Sequence, residues 1–253
     1  MRVAFYNQMF GLNGKNPFSH FKNHFELHFR RKPHKLYRNT DIDHTIKTIK
    51  KSRSDIIGLC EIFEGQESDL CSNLKKLGYD HVHFGDSHTT KRSKIKVKVA
   101  LASKMPCHKI DTPYMPVLHT TGAGGGFLHC YFPELNLDII AVHLANQRKL
   151  SLRSKQIKFV KKYLKNKTKN LIVMGDFNIR YKKLKKDISH LTLVSGKTKT
   201  CATTPLFKWF YNKDLDHILT QGFNCLKTGA LEGRSDHKLI YADLEPIPVQ
   251  NLG

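Results

Sequence analysis

Residues 171–178 (LIVMGDFN) carry a carboxylate and a carboxamide directly after a short apolar run. Asp176 and Asn178 are two positions apart, so in an extended segment their side chains project on the same side. Their oxygens can then hold a water molecule, a metal ion or a phosphate oxygen. For this stretch alone the alternative is a turn, in which Asp and Asn are favoured for backbone reasons.

Other apolar runs of the sequence also lead into acids, amides or imidazoles. In an open α/β sheet, ligands bind beyond the carboxyl ends of the strands, where several strand ends meet. We therefore predict one cluster of polar side chains at a sheet edge. Its members are Asn7, Glu61, His143, Asp176, Asn178, Asp216, Asp236 and His237.

Short apolar or alternating runs predict the strands that position this cluster. They lie at residues 2–7, 56–61, 97–103, 127–132, 137–142, 171–174, 215–219 and 238–244. Gly175 is expected to break the strand before Asp176. Helical periodicity predicts helices at residues 41–51, 68–77 and 150–164, the last with Leu152, Ile157, Val160 and Leu164 facing inward.

Taken together and in this order, the motifs resemble those of the endonuclease/exonuclease/phosphatase superfamily. They are Tyr-Asn at 6–7, Cys-Glu at 60–61, His-Leu at 143–144, Gly-Asp-Phe-Asn at 175–178, Leu-Asp-His-Ile at 215–218 and Ser-Asp-His at 235–237. The resemblance extends over nearly the whole chain. It implies an α/β fold, the deoxyribonuclease-I-like four-layer sandwich of two packed mixed β-sheets flanked by helices. We expect residues 1–253 to form one catalytic domain of this type.

The resemblance further implies a hydrolase that cuts phosphoester bonds with Mg²⁺ or Mn²⁺. Asn7 and Glu61 take the positions of the primary metal ligands, with Asp236 near the same ion. Oxygen ligands of this kind suit Mg²⁺, which also keeps several waters. Two departures from the family pattern are Tyr6 and Cys60, where Trp and Gln often stand; both change packing more than chemistry.

The remaining motif positions imply catalytic roles. Asp176 and Asn178 resemble the pair that orients the attacking water and the scissile phosphate. His237 resembles the base or phosphate-contacting imidazole, held by Asp216, because an Asp behind a His stabilises its cationic form. His143 resembles the imidazole that faces the developing charge. The carboxylate that some members place behind this imidazole has no match in the sequence, so its protonation state stays open.

The strong positive charge of the chain points to a polyanionic partner. Its 43 Lys and Arg residues exceed 21 Asp and Glu residues, giving a formal net charge of +22. Such an excess favours nucleic acid, an anionic membrane surface or a polyphosphate, while a generally basic background is the alternative. Substrate-binding cations are predicted after Asn178 and in the aromatic and basic segment 16–38. They are Arg180, Lys182, Lys183, Arg30 and Arg31.

We therefore predict a nuclease that hydrolyses DNA or RNA. An inositol polyphosphate phosphatase or a sphingomyelinase-like lipid phosphodiesterase of the same fold is the alternative, because fold alone does not select a substrate. A non-catalytic nucleic-acid-binding module is less expected, since the set of acids and imidazoles is complete. The segment 16–38 is expected either to dock substrate or to pack as an ordinary amphipathic helix.

Other features bound the cellular context. No run of about 18 apolar residues could span a membrane, and residues 1–9 lack the apolar region of a secretory signal. We expect a cytoplasmic protein. Six cysteines without a close pair are expected to stay reduced and not to form a zinc module. No obligate protein partner is evident, and a monomer is expected.

Overall fold

The structure is a computed structural model. It describes residues 1–12, 40–90, 94–113, 115, 124–146, 150–165, 167–201 and 213–248. The predicted docking segment 16–38, with Arg30 and Arg31, lies outside the described residues.

The described chain alternates strands with helices. The strands are β1 (Arg2–Asn7), β2 (Ile56–Phe63), β3 (His81–Thr89), β4 (Lys96–Ser103), β5 (His108–Asp111), β6 (Gly126–Phe132), β7 (Leu137–His143), β8 (Asn170–Asp176), β9 (Thr192–Leu193), β10 (Asp216–Gln221), β11 (Phe223–Leu231) and β12 (Leu239–Pro246). The α-helices are α1 (Ile42–Ser52), α2 (Glu67–Lys75), α3 (Leu150–Leu164) and α4 (Tyr181–Asp187).

These strands form two six-stranded sheets. The first has the order β11-β12-β1-β2-β4-β3 and the second the order β5-β6-β7-β8-β10-β9. Each sheet contains one parallel pair, β1 with β2 and β7 with β8, and the other neighbours are antiparallel. Both sheets are therefore mixed, as predicted.

Three apolar clusters hold the layers together. Side chains of both sheets, such as Phe5 of β1 and Met174 of β8, share one buried cluster between the sheets. A second cluster joins α3 and α4 to the outer face of the second sheet. A third joins α1 and α2 to the outer face of the first sheet. This order of helix, sheet, sheet and helix confirms the predicted four-layer α/β sandwich.

Helix α3 shows how the sequence pattern sets the outer layers. The predicted inward positions Leu152, Ile157, Val160 and Leu164 are all buried. Lysines on its other positions are exposed, so the helix covers the sheet with one apolar face. None of the helices in the described part of the chain has the length and apolar composition needed to cross a membrane.

One local prediction was wrong. Gly175 does not break the strand, because β8 continues through it to Asp176. Gly175 is needed for close packing inside the sheet: a Cβ built on it would lie 2.2 Å from the carbonyl oxygen of Val142 on β7. The glycine therefore lets β7 and β8 stay in register up to the end that carries Asp176.

Four strands were not predicted, and all four are edge strands. They are β3 and β11 in the first sheet and β5 and β9 in the second. An edge strand pairs on one side only and keeps much of its surface in solvent, so it lacks a continuous apolar signal.

Candidate active site

The sheet registers bring the predicted polar residues to one edge of the sandwich. In the first sheet, Asn7 at the end of β1 pairs with Cys60, the residue before Glu61. In the second sheet, His143 at the end of β7 pairs with Asp176 at the end of β8, and Asp176 pairs in turn with Asp216. The parallel pair at the centre of each sheet therefore supplies two of the candidate residues.

Glu61 reaches the site through an irregularity in its strand. The register between β2 and β4 shifts between Cys60 and Ile62, so Glu61 is the extra residue of a β-bulge. Its φ of 56° lies in the left-handed region, which a non-glycine residue rarely adopts. Bulges of this kind re-aim a side chain, and here the carboxylate of Glu61 turns towards Asn7 and His143.

Asn7 links the two sheets at the centre of the site. Its Nδ2 donates to Glu61 Oε1 at 3.1 Å and to Asp176 Oδ2 at 3.1 Å, while its Oδ1 accepts from the backbone N–H of Met9 at 3.0 Å. Asn7 thus holds the two carboxylates together as a donor. Its predicted role as an oxygen ligand to a metal needs Oδ1, which accepts one hydrogen bond from Met9 and keeps a second lone pair.

His237 and Asp216 form a buried pair. His237 Nδ1 lies 2.7 Å from Asp216 Oδ2, and His237 Nε2 points towards Asp176 Oδ2 at 3.9 Å. Burial lowers the pKa of His237, but the charges of Asp216, Cys201 and Asp236 and the hydrogen bond to Asp216 together outweigh burial and raise this pKa well above its ordinary value. The imidazole is therefore held in its cationic form with Nε2 facing the site.

Asp176 and Asn178 are fixed by the turn between them. The backbone N–H of Asn178 donates to Asp176 Oδ1 at 2.9 Å, and Asn178 Nδ2 donates to the carbonyl of Leu144 at 3.0 Å. Buried Arg153 of α3 donates from Nη1 to the carbonyl of Asn178 at 2.6 Å. Burial, and next the charge of Asp216, raise the pKa of Asp176 to about 8.

His143 lies on the opposite side of Glu61. Its Nε2 is 3.7 Å from Glu61 Oε1, and its Nδ1 is buried without a hydrogen-bond partner among the described residues. The ring of His88 from β3 packs edge-on against it, with 6.1 Å between ring centroids. Burial, followed by the charges of His88 and His237, lowers the pKa of His143 to about 3, so this imidazole is neutral near pH 7.

The loop before β12 is tied to β1 by Ser235. Its Oγ donates to the carbonyl of Asn7 at 2.7 Å, lies 3.2 Å from Asp236 Oδ1 as the alternative acceptor of the same proton, and accepts from the N–H of His237 at 3.0 Å. The backbone N–H of Ser235 donates to Tyr6 Oη. The hydroxyl of Ser235 therefore fixes Asp236 and His237 relative to Asn7.

The donor set of the site fits a divalent cation. Two groups of side chains offer ligand atoms within 4.8 Å of one another, Asp176 with Asp216 and His237, and Cys201 with Asp236 and His237. Because His237 can be a metal ligand only when it is neutral, the carboxylates are the oxygen donors of the site when the imidazole is cationic. Burial, and next the charge of Asp236, raise the pKa of Glu61 to about 7. A bound cation would offset the repulsion between these carboxylates and would stabilise them in the charged form.

The predicted cations after Asn178 lie on the protein surface beside the site. Arg180 precedes α4, Lys182 and Lys183 lie in its first turn, and all three are exposed. None of the three has an ion-pair partner in the described part of the chain, so their charge is available to a ligand.

Three residues of the site were not found from the sequence. Arg153 was concealed among the other cations of α3, and only its inward position distinguishes it. Ser235 had no predicted role beyond its place in the Ser-Asp-His motif, although its hydroxyl joins the loop before β12 to β1. His88 lies on an edge strand that the sequence did not predict.

The chain belongs to the Endonuclease/Exonuclease/phosphatase family, whose sequence model matches residues 19–237. Members of this family are metal-dependent phosphoester hydrolases, which confirms the predicted class of enzyme. No curated protein sequence matches the chain.

Solved structures of the same fold cover nearly the whole chain. A family protein from Leptotrichia buccalis is 18% identical with a TM-score of 0.70, and covers 97% of this chain and 99% of its own. The human Nocturnin catalytic domain with a bound sulfate anion is 16% identical with a TM-score of 0.64, covering 98% and 93%. A mannosyl-6-phosphatase from Bacteroides thetaiotaomicron is 14% identical with a TM-score of 0.62, covering 97% and 99%.

Proposed function

We propose that the chain is a Mg²⁺-dependent phosphodiesterase, acting from one domain, whose substrate is a nucleic acid. The observation that carries the proposal is the buried arrangement of Asp216, His237 and Asp176, in which one imidazole is held cationic 3.9 Å from a carboxylate. A cation and a base directed at the same point suit the attack of water on a phosphate diester.

The metal would be held by the carboxylates of Glu61 and Asp236. Oxygen donors of this kind favour Mg²⁺ or Mn²⁺ over zinc. When bound, such an ion polarises a phosphoryl oxygen and neutralises charge that develops in the transition state. Asn7 fixes Glu61 through its amide N–H and would offer Oδ1 as a further ligand to the same ion.

Asp176 is proposed to accept the proton of the attacking water. In the metal-free protein its pKa is raised to about 8, and a cation bound beside it would ionise it, so that the carboxylate can then take the proton. Its Oδ1 is held by the N–H of Asn178, and its Oδ2 by Asn7. The carboxylate therefore cannot rotate away from the site without losing both hydrogen bonds.

His237 is proposed to donate a hydrogen bond to a phosphate oxygen. Asp216 keeps the ring protonated and orients it through Nδ1, which leaves Nε2–H for the substrate. A charged donor of this type stabilises the negative charge that grows on the phosphate during attack. Neutral His143 is proposed to face the same charge from the other side of Glu61.

The surface charge favours a polymeric anion as substrate. The formal net charge is +22, and Arg180, Lys182 and Lys183 are exposed next to Asn178. A single inositol phosphate would leave most of this charge unused, whereas a nucleic acid presents phosphates along its whole length. Binding of this kind weakens steeply with salt.

The test is a parallel assay of plasmid DNA, single-stranded DNA, RNA, inositol polyphosphates and sphingomyelin with Mg²⁺. We expect a nucleic acid to be hydrolysed fastest, with a KM that rises with salt. Fast phosphate release from an inositol polyphosphate, with nucleic acids untouched, would instead establish the phosphatase alternative. Hydrolysis of sphingomyelin alone would establish the lipid alternative.

A further inference from the structure

A second cationic site lies outside the catalytic cluster. An open cavity of about 410 Å³ is lined by helix α1 and the turn between β11 and β12. The helix contributes His44, Lys47 and Lys51, and the turn contributes Gly233 and Arg234. The candidate catalytic residues described above do not line this cavity, which we call the α1 cavity.

The geometry of α1 turns its cations towards this cavity. Lys47 and Lys51 are four residues apart, so they lie on the same face of the helix one turn from each other. Both side chains are exposed, and neither has an ion-pair partner within the described residues. Their ammonium groups are therefore available to an anion.

The acids near the α1 cavity are already paired. Asp41 accepts from Arg234 Nη1 at 2.6 Å and lies 2.7 Å from His44 Nδ1. Glu232 lies 3.3 Å from Lys238 Nζ. Lys47, Lys51 and Arg234 line the cavity against a single acid, Glu232, so its lining is net positive.

The floor of the α1 cavity is closely packed and adjoins the catalytic cluster. A Cβ built on Gly233 would lie 2.2 Å from Tyr6 Oη and 3.0 Å from Thr48 Oγ1, so the turn packs directly on β1 and α1. Tyr6 immediately precedes Asn7. Arg234 is two residues before Asp236, and two residues span at most about 7 Å of backbone.

We propose that the α1 cavity binds a phosphate group of the substrate strand away from the bond that is cut. This inference rests on the proposed nucleic-acid hydrolysis and adds the direction in which the substrate strand leaves the catalytic cluster. A strand bound at the catalytic cluster would continue past Asp236 and over the surface beside α1. Lys47 and Lys51 then contribute to KM for long substrates.

The experiment compares two double variants with the wild-type chain. Lys47→Ala with Lys51→Ala removes the two free cations of the cavity. Lys75→Ala with Lys76→Ala removes two exposed cations from the end of α2 and serves as the control, because it lowers the net charge equally. Alanine favours helix, so both variants are expected to fold, which circular dichroism checks.

Kinetics are measured with Mg²⁺ on a long nucleic acid and on bis(para-nitrophenyl) phosphate, a diester too small to reach the cavity. For the cavity variant we expect KM on the nucleic acid to rise roughly tenfold relative to the control. A rise of this size corresponds to the loss of about two weak contacts between lysine and phosphate. The log-log salt slope should become shallower by roughly 1 to 2. The ratio of kcat/KM on the nucleic acid to kcat/KM on the small diester should therefore fall.

The outcomes separate the two proposals. Wild-type protein that hydrolyses the small diester but no nucleic acid would overturn the proposed substrate. Wild-type hydrolysis of nucleic acid, with the cavity and control variants indistinguishable, would overturn the α1 cavity as a phosphate site. Equal losses on both substrates would also overturn it, because Lys47 and Lys51 would then support the fold or the catalytic cluster. Charge reversal at both positions to Glu should enlarge the expected rise in KM.

Discussion

The carboxylates of the site make the stability of the metal-free protein depend on pH. The folded-state pKa values of Glu61 and Asp176 are raised to about 7 and about 8. Stability from a raised pKa is fully present below the pKa of the unfolded chain and is lost as pH rises through the folded-state pKa. His237, whose pKa is raised as well, acts in the same direction.

The size of this effect follows from proton linkage. Each group that keeps a proton only in the folded state changes the free energy of unfolding by up to ~1.4 kcal/mol per pH unit. Between about pH 6.5 and about pH 8.5, Glu61 therefore contributes a loss of roughly 1 kcal/mol and Asp176 roughly 2 kcal/mol. His143, with its pKa of about 3 in the folded state and 6.5 as the ordinary value, opposes this loss only at the lower edge of the window and by less than about 0.5 kcal/mol.

The assay is urea unfolding with EDTA and with saturating Mg²⁺ at both ends of this window. With EDTA, the free energy of unfolding should fall by roughly 2–3 kcal/mol or more as pH rises. Mg²⁺ should stabilise the protein more at the higher pH, because it binds the ionised carboxylates. The variant Glu61→Gln should reduce both effects. A pH dependence that is absent with EDTA, or unchanged in Glu61→Gln, would refute this reasoning.

Further predictions concern the catalytic residues and one glycine. Asp176→Ala and His237→Ala should each lower kcat at least about a hundredfold while circular dichroism stays unchanged; near-normal kcat would remove the role of that residue. Asp216→Asn should lower kcat and move the basic limb of the pH–rate profile to lower pH, because the imidazolium loses the charge that stabilises it. An unshifted limb would contradict that role. Gly175→Ala should destabilise the protein by about 2–3 kcal/mol in urea unfolding, since its Cβ would meet the Val142 carbonyl, and an unchanged midpoint would contradict the close approach.

The interior of the fold was predictable because buried strands leave a strong signal. Runs such as those of β1, β2, β7 and β8 are apolar on both faces and end abruptly on a polar side chain. The four edge strands leave no such signal, since they are held by pairing with a neighbour more than by burial. His88 was missed for this reason, although it packs against His143.

The content of the candidate site was predictable, but its internal geometry was not. The sequence shows that Asn7, Glu61 and Asp176 follow apolar runs, and parallel strand ends meet at one edge. It does not show which strands are neighbours, or that a bulge turns Glu61 towards His143. The two hydrogen bonds from Asn7 to carboxylates of different sheets depend on how the sheets pack, which no local pattern encodes.

The central claim is that the chain hydrolyses nucleic acid with a divalent metal held at its carboxylates. Its most direct test is the rate of nucleic-acid hydrolysis before and after exhaustive treatment with EDTA, followed by addition of Mg²⁺. The carboxylate donors of Glu61 and Asp236 predict that hydrolysis stops with EDTA and returns with Mg²⁺. Hydrolysis that continues at the same rate after complete removal of divalent metal would contradict the account.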